Sequence, residues 1–196
     1  MSTYRQCPAR FKYRYIDNLQ TVHAPEPDDA LIVGSALHKG IEKDEKIMLD
    51  WYYRQFYVID DRHINESIKL SKLLPKVKAF ISKMGEDIIH EYEINHDEFK
   101  GYVDLIVRKK DQTLDVFDFK YSNNIDRYLE SEQPHLYKYH LELNHFNVNR
   151  IAFVFIPKIN IRQRKNEELY HYRKRLSDEL DRAEIQVKYI DYDPKK

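Results

Sequence analysis

Residues 101–122 read GYVDLIVRKKDQTLDVFDFKYS, and this stretch decides the fold. Two runs rich in Val, Ile, Leu and Phe flank a polar turn at residues 109–113, the pattern of a β-hairpin. Strict alternation puts Tyr102, Asp104 and Ile106 on one face of the first strand and Val103, Leu105 and Val107 on the other. In the second strand Val116, Asp118 and Lys120 share a face, while Phe117 and Phe119 take the opposite one. A turn centred on Asp111 sets residue 104 opposite residue 118. Directly opposed residues have Cβ atoms about 4.5–5.5 Å apart, and like charges there are destabilising. Two carboxylates facing each other among apolar neighbours call for a positive charge between them.

Working outward, a first strand is expected at about 88–95, ahead of strands at 100–108 and 114–121. Residues 132–143 suit a helix, with Ser131 as N-cap and Pro134 in its first turn. The continuous apolar run Ile151–Ile156 reads as a strand buried on both faces. A charged helix at about 165–184 and a strand at 185–192 follow. Upstream, a short helix is expected after Pro8, then a turn-rich loop from Asp17 to Ala30. One long helix is expected over 34–57, and another over 65–84 that Pro75 starts or kinks and Gly85 ends. The order of helices, then β-β-β-α-β, then a helical tail implies an α/β protein with a mixed sheet flanked by helices.

Composition narrows the class. The 196 residues suit one domain, with a helical part at 1–86, a core at 87–157 and a basic helix and strand at 158–196. The 16 Tyr and 9 Phe argue against disorder, and no apolar run is long enough to span a membrane. A single Cys excludes an internal disulfide and any four-cysteine metal site. With no signal-like N-terminus, a reducing, cytoplasmic setting is expected. The 33 basic and 33 acidic residues sum to zero, which removes global attraction to nucleic acid but not local patches.

The chemistry sits on the hairpin. Mg²⁺ takes oxygen ligands from one or two carboxylates and leaves the rest for water and phosphate, so Asp104 and Asp118 suit a divalent cation. Lys120 lies on the same face, two residues from Asp118. An acid pair that holds a cation beside a lysine suits phosphodiester hydrolysis, with the lysine orienting water or stabilising developing charge. An isolated Asp-X-Lys is usually a solvated strand face; the register with Asp104 and the apolar flanks set this one apart. Glu91 and Glu93 on the first strand are candidates for an outer ligand. The other histidines show no zinc-hydrolase spacing.

Together, Gly101-Tyr102-Val103-Asp104 and Asp118-Phe119-Lys120 resemble the split signature of the PD-(D/E)XK nuclease superfamily. More narrowly the chain resembles the RecB-like branch, which includes RecB and AddB nuclease domains and CRISPR-associated RecB-like exonucleases. Cys7-Pro8 with Phe11, Tyr13 and Tyr15 is similar to the N-terminal Cys-Pro-aromatic stretch of that branch. Gly34 to His38, with Glu42 trailing, is similar to its G-x-x-x-H motif, and Gln133 to Tyr137 to its Q-x-x-x-Y motif. The resemblance spans roughly residues 4–157.

It implies a restriction-endonuclease-like core (αβββαβ) and a Mg²⁺- or Mn²⁺-dependent deoxyribonuclease. It assigns His38, Asp104, Asp118 and the carbonyl of Phe119 to the metal and Lys120 to catalysis. Gln133 and Tyr137, on one helix face, would orient the lysine or touch the DNA backbone. Iron–sulfur members use four cysteines; here only Cys7 remains, so no cluster is expected. The chain also starts without the serine-rich lead-in frequent in the branch, so a compact or slightly shortened member is expected.

For substrate, Arg5, Arg10, Lys12 and Arg14 are interleaved with aromatics and no acids, the combination that tracks phosphates and stacks bases. Arg162, Arg164 and Lys165 belong to a second basic stretch, residues 158–175, which also holds Lys158, Arg173, Lys174 and Arg175. A solvated helix face is the alternative for each. The expected partner is DNA, as single strands or duplex ends, with a helicase or recombination protein as a possible further partner and no membrane. Exonucleolytic processing in recombination, repair or phage replication, within a bacterial cytoplasm, is the expected role. A structure-selective endonuclease, or a module that binds without cutting, is the alternative.

Overall fold

The structure is a computed structural model that describes residues 2–19, 25–96 and 99–195. Part of the expected loop over 17–30, residues 20–24, lies outside the described residues. The chain opens with two short helices, α1 (Ser2–Gln6) and α2 (Pro8–Phe11), and a π-helical turn (Lys12–Ile16). Cys7 caps α2, its Sγ accepting from the Arg10 amide at 3.5 Å. The helical region continues with α3 (Ala30–Glu42), α4 (Glu45–Tyr53) and α5 (Asp61–Ser82). Strands β1 (Asp87–His96), β2 (Phe99–Arg108) and β3 (Leu114–Tyr121) follow, then α6 (Asp126–Leu129), α7 (Gln133–Leu143), β4 (Val148–Ile156), α8 (Leu169–Arg182) and β5 (Gln186–Ile190).

Two helix expectations are corrected. The long helix over 34–57 is two helices, because the Asp44 side chain caps the Ile47 amide at 2.8 Å and starts α4 anew. A side-chain cap offers the chain an alternative to continuing the previous turn. The second helix begins at Asp61, where Asp60 and His63 form a capping box, and runs through Pro75. An internal proline costs about 3 kcal/mol; the helix survives it because Leu70, Leu73, Leu74, Val77 and Ile81 are all buried. At α7 the residue before the helix, Glu132, makes no side-chain cap, and Ser131 Oγ accepts only from the Gln133 amide at 3.3 Å.

The sheet runs in sequence order, with β3 and β4 parallel and the other neighbours antiparallel. The parallel pair requires a crossover, which α6 and α7 supply. One face of the sheet packs Leu105, Val107, Phe117, Phe119, Ala152 and Val154 against α3, α5 and α8. The other packs Ile106, Val116 and Ile151 against Tyr137 and Leu141 of α7. This mixed α/β sandwich is consistent with the restriction-endonuclease-like core. It suspends α3 and α7 on opposite faces of the β2–β3 hairpin.

The α3–α4 junction depends on close approach. A Cβ at Gly40 would lie 2.7 Å from Met48 Sδ and 3.1 Å from Met48 Cβ, and Met48 is fully buried. Gly40→Ala is therefore expected to cost about 1–3 kcal/mol, the range for overpacking, readable as a lower urea midpoint. An unchanged midpoint would show that this junction tolerates expansion.

Candidate active site

The β2–β3 register pairs Leu105 with Phe117 and Val107 with Asp115, so its continuation sets Asp104 against Asp118 as the turn centre requires. The ladder itself ends at Leu105–Phe117. Beyond that pair the strands separate, and the Phe119 amide donates to Asp104 Oδ2 at 2.6 Å in place of a backbone acceptor.

The expected alternation on β2 fails at this point. Val103 packs with Ile106 on the α7 face, whereas Leu105 and Val107 pack on the α3 face. Asp104 is thereby turned to His38 of α3, whose Nδ1 lies 3.5 Å from Asp104 Oδ1. The neighbouring strand is irregular at the same point. The β1–β2 ladder pairs His90 with Leu105 and Tyr92 with Val103 but omits Glu91 and Asp104 between them. Glu91 has a φ of +48°, a left-handed conformation that non-glycine residues rarely adopt and that concentrates at functional sites.

Glu91 therefore joins the site. Its Oε1 lies 3.4 Å from His38 Nδ1, and one ligand atom each from His38, Glu91 and Asp104 fall within 4.8 Å of one another. Glu93 instead pairs with Lys100 at 2.9 Å on the surface. The sequence offers both glutamates, Glu91 ahead of Glu93, and the distorted backbone separates them.

Asp118 and Lys120 hold the other half. Lys120 Nζ lies 2.6 Å from Asp118 Oδ2 and donates to Gln133 Oε1 at 3.1 Å. Gln133 Nε2 donates to Tyr137 Oη at 2.6 Å. Lysine has only donors, so this amide orientation is the one that satisfies both neighbours. The ammonium also lies 5.6 and 5.5 Å from the ring centres of Tyr128 and Phe153, an aromatic enclosure that no sequence pattern announced.

Electrostatics make the acid cluster unstable by itself. Burial, and then the charge of Asp118, push Asp104 up to about 7. Burial also raises Asp118, against the pull of Lys120. At His38 burial acts downward, but the hydrogen bond with Glu91 and the nearby carboxylates outweigh it, so the imidazole is raised. Burial and the charge of Asp118 keep the Tyr137 phenol well above its ordinary value, hence neutral. Two carboxylates and an imidazole converge here, the charge of Asp118 acts on Asp104 and His38, and Asp118 Oδ2 has its ion pair with Lys120 but no well-directed hydrogen bond. That donor set fits a hard divalent cation.

A family model for the PD-(D/E)XK nuclease superfamily matches residues 1–192. The chain belongs to that superfamily. It is therefore a member of a family of nucleases, hydrolases that use divalent metals and act on nucleic acid. No curated protein and no solved structure shows significant similarity to the chain. Cys7, the single cysteine, cannot supply an iron–sulfur cluster. Among the described residues, no helix is long and apolar enough to cross a membrane.

The site opens into a cleft of about 710 Å³ bordered by α3, Phe119, Lys120, Tyr121 and Tyr128. Among the described residues, none of the basic side chains expected to hold substrate lines it. Arg5 pairs with Glu132 at 3.1 Å, which ties α1 to the residue before Gln133. Lys12 pairs loosely with Asp17 at 3.8 Å, Arg14 lies over the ring of Tyr15, and Arg10 is exposed. In the second stretch Arg162, Arg164 and Lys165 are exposed, but Arg173 and Arg175 are held by Asp61 and Glu167 at 2.8 and 2.7 Å. Part of the positive charge counted there is structural.

Proposed function

We propose that this protein is a Mg²⁺- or Mn²⁺-dependent deoxyribonuclease of RecB-like type that removes nucleotides from DNA ends or single strands. The observation that carries the reading is Lys120, held between Asp118 and the Gln133–Tyr137 pair beside the His38, Glu91 and Asp104 cluster. His38, Asp104, Asp118 and the Phe119 carbonyl, with Glu91, would hold the cation. A nitrogen donor among carboxylates favours Mn²⁺ alongside Mg²⁺. Such an ion, when bound, supplies Lewis-acid polarisation of the scissile phosphate and a more acidic water.

The chain's own residues do the rest. Lys120 faces the charge that develops on the phosphate oxygens and orients the attacking water. Gln133 and Tyr137 are positioning residues: the neutral phenol fixes the amide, and the amide fixes the ammonium. Arg5, Arg10, Lys12 and Arg14, with the exposed Tyr13 and Tyr15, track the strand by phosphate contact and stacking, and Arg162, Arg164 and Lys165 extend the track. We take the chain as one catalytic domain acting in the cytoplasm, in recombination, repair or phage replication, to which a helicase or recombination partner would deliver ends.

The test is incubation of labelled linear, closed-circular and single-stranded DNA with each metal, with Asp118→Ala as control. End-dependent loss of linear and single-stranded DNA is expected, and none with the variant. Cutting of closed circles would convert the reading to an endonuclease, and no metal-dependent loss would overturn it.

A further inference from the structure

A second cleft, of about 730 Å³, lies apart from the Lys120 site, and of its lining residues only Arg162 enters the proposed reaction. Pro27 and Asp28 line this cleft, and Ala30 and Leu31, just beyond Asp29, line the catalytic one. Lys158, at the rim, is bound by its amide and carbonyl to the side chain of Asn123, which follows Lys120 by three residues. The volume is that of a small-molecule site, in the usual range of about 300–1,000 Å³.

Its lining includes a buried ion pair. Lys69 Nζ lies 2.5 Å from Glu66 Oε1, with the two side chains only 7% and 8% exposed. Burying such a pair costs several kcal/mol per ion, and apolar replacements of the same volume are often neutral or stabilising. Glu66 lines the cleft, and its Oε2 is buried with no hydrogen-bond partner among the described residues. Burial raises the Glu66 carboxyl, against the pull of Lys69.

The rim carries Arg62, Lys158 and Arg162 against one carboxylate, Asp28. Arg62 is already engaged by Asp60 and Glu26, at 3.1 Å each. The Lys158 ammonium, however, reaches only the Asp28 carbonyl, at 3.5 Å, and the Arg162 side chain has no ion pair among the described residues. Two available cations above a buried, unsatisfied acceptor match a ligand that carries a phosphate at one end and a hydroxyl or amine donor at the other.

From this juxtaposition we infer that the cleft lined by Glu66, Lys69, Lys158 and Arg162 binds a nucleotide phosphomonoester. Lys158 and Arg162 hold the phosphate, and Glu66 accepts from the nucleoside. The ligand is either the phosphorylated terminus of a DNA strand or a free mononucleotide such as a cleavage product. The strand-end form rests on the nuclease reading; the binding site itself does not.

Binding is measured by calorimetry on the full chain in EDTA, so that no cutting is needed and failure of the nuclease reading leaves the result interpretable. The probes are inorganic phosphate, dAMP, and one oligonucleotide carrying a 5′-phosphate, a 3′-phosphate or only hydroxyl ends. We expect dAMP to bind at least tenfold more tightly than phosphate, and a phosphorylated end at least tenfold more tightly than a hydroxyl end. Arg162→Ala should abolish the preference for phosphate. The double variant Glu66→Met/Lys69→Met should keep a wild-type melting temperature and lose the advantage of dAMP over phosphate. Preference for phosphorylated oligonucleotides assigns the cleft to strand ends, and binding of dAMP alone assigns it to free nucleotide. If dAMP does not bind and phosphorylated and hydroxyl ends bind alike, the inference is wrong. It is equally wrong if both variants bind as the wild type does.

Discussion

Lys120→Ala is expected to slow phosphodiester cleavage by about 10²–10³-fold, the loss that follows removal of one preorganised group facing transition-state charge. The ammonium is poised rather than free, with Asp118 2.6 Å away and Gln133 3.1 Å away. Its removal leaves the His38, Glu91 and Asp104 cluster untouched, so Mn²⁺ affinity, read by calorimetry, should change far less than the single-turnover rate. Gln133→Ala provides the graded comparison. It frees one side of the ammonium but keeps the Asp118 contact, and about a tenfold loss is expected, on the scale of a positioning partner. Wild-type cleavage by purified Lys120→Ala would remove the lysine from the reaction.

Asp104→Asn is expected to stabilise the metal-free protein at pH 8 and to abolish its stabilisation by Mn²⁺. Burial and the neighbouring Asp118 push the Asp104 carboxyl from 3.8 up to about 7. A raised acid binds more protons folded than unfolded between those values, so its contribution is complete below about pH 4 and is lost as pH rises toward 7. Each tenfold difference in proton affinity between the folded and unfolded chain is worth about 1.4 kcal/mol, so at pH 8 the ionised Asp104 costs the metal-free fold a few kcal/mol. Asparagine removes that cost and still accepts the Phe119 amide bond. In a chain of this length about 2–4 °C accompanies each kcal/mol. The metal-free variant should therefore melt ~5 °C or more above wild type at pH 8, and no higher at pH 4. Parallel melting curves for the two proteins across that range would refute the cause given for the site's instability.

Much of this was legible because the signals are local. The three strands and the hairpin centre at Asp111 follow from a period-two pattern about a polar turn, and the observed register agrees as far as Leu105–Phe117, one step short of residues 104 and 118. The spacing of Gln133 and Tyr137 places them on one helix face, and the structure joins them by a hydrogen bond. What was not legible depends on competition between distant segments. The break at Asp44 is a contest between one cap and a longer helix, and the passage of α5 through Pro75 is decided by the core beneath it. Arg173 and Arg175 read as free charge until Asp61 and Glu167 are seen to hold them.

By itself, the sequence determined that a mixed sheet carries an acid pair and a lysine on one hairpin, because side-chain alternation and turn chemistry are properties of neighbouring residues. Only the tertiary structure decided that Asp104 leaves its expected face and that Glu91 joins it while Glu93 does not. Those outcomes depend on a left-handed residue at position 91 and on a ladder that opens after Leu105–Phe117. Strand twist and long-range packing set both, and neither has a period that a sequence can display.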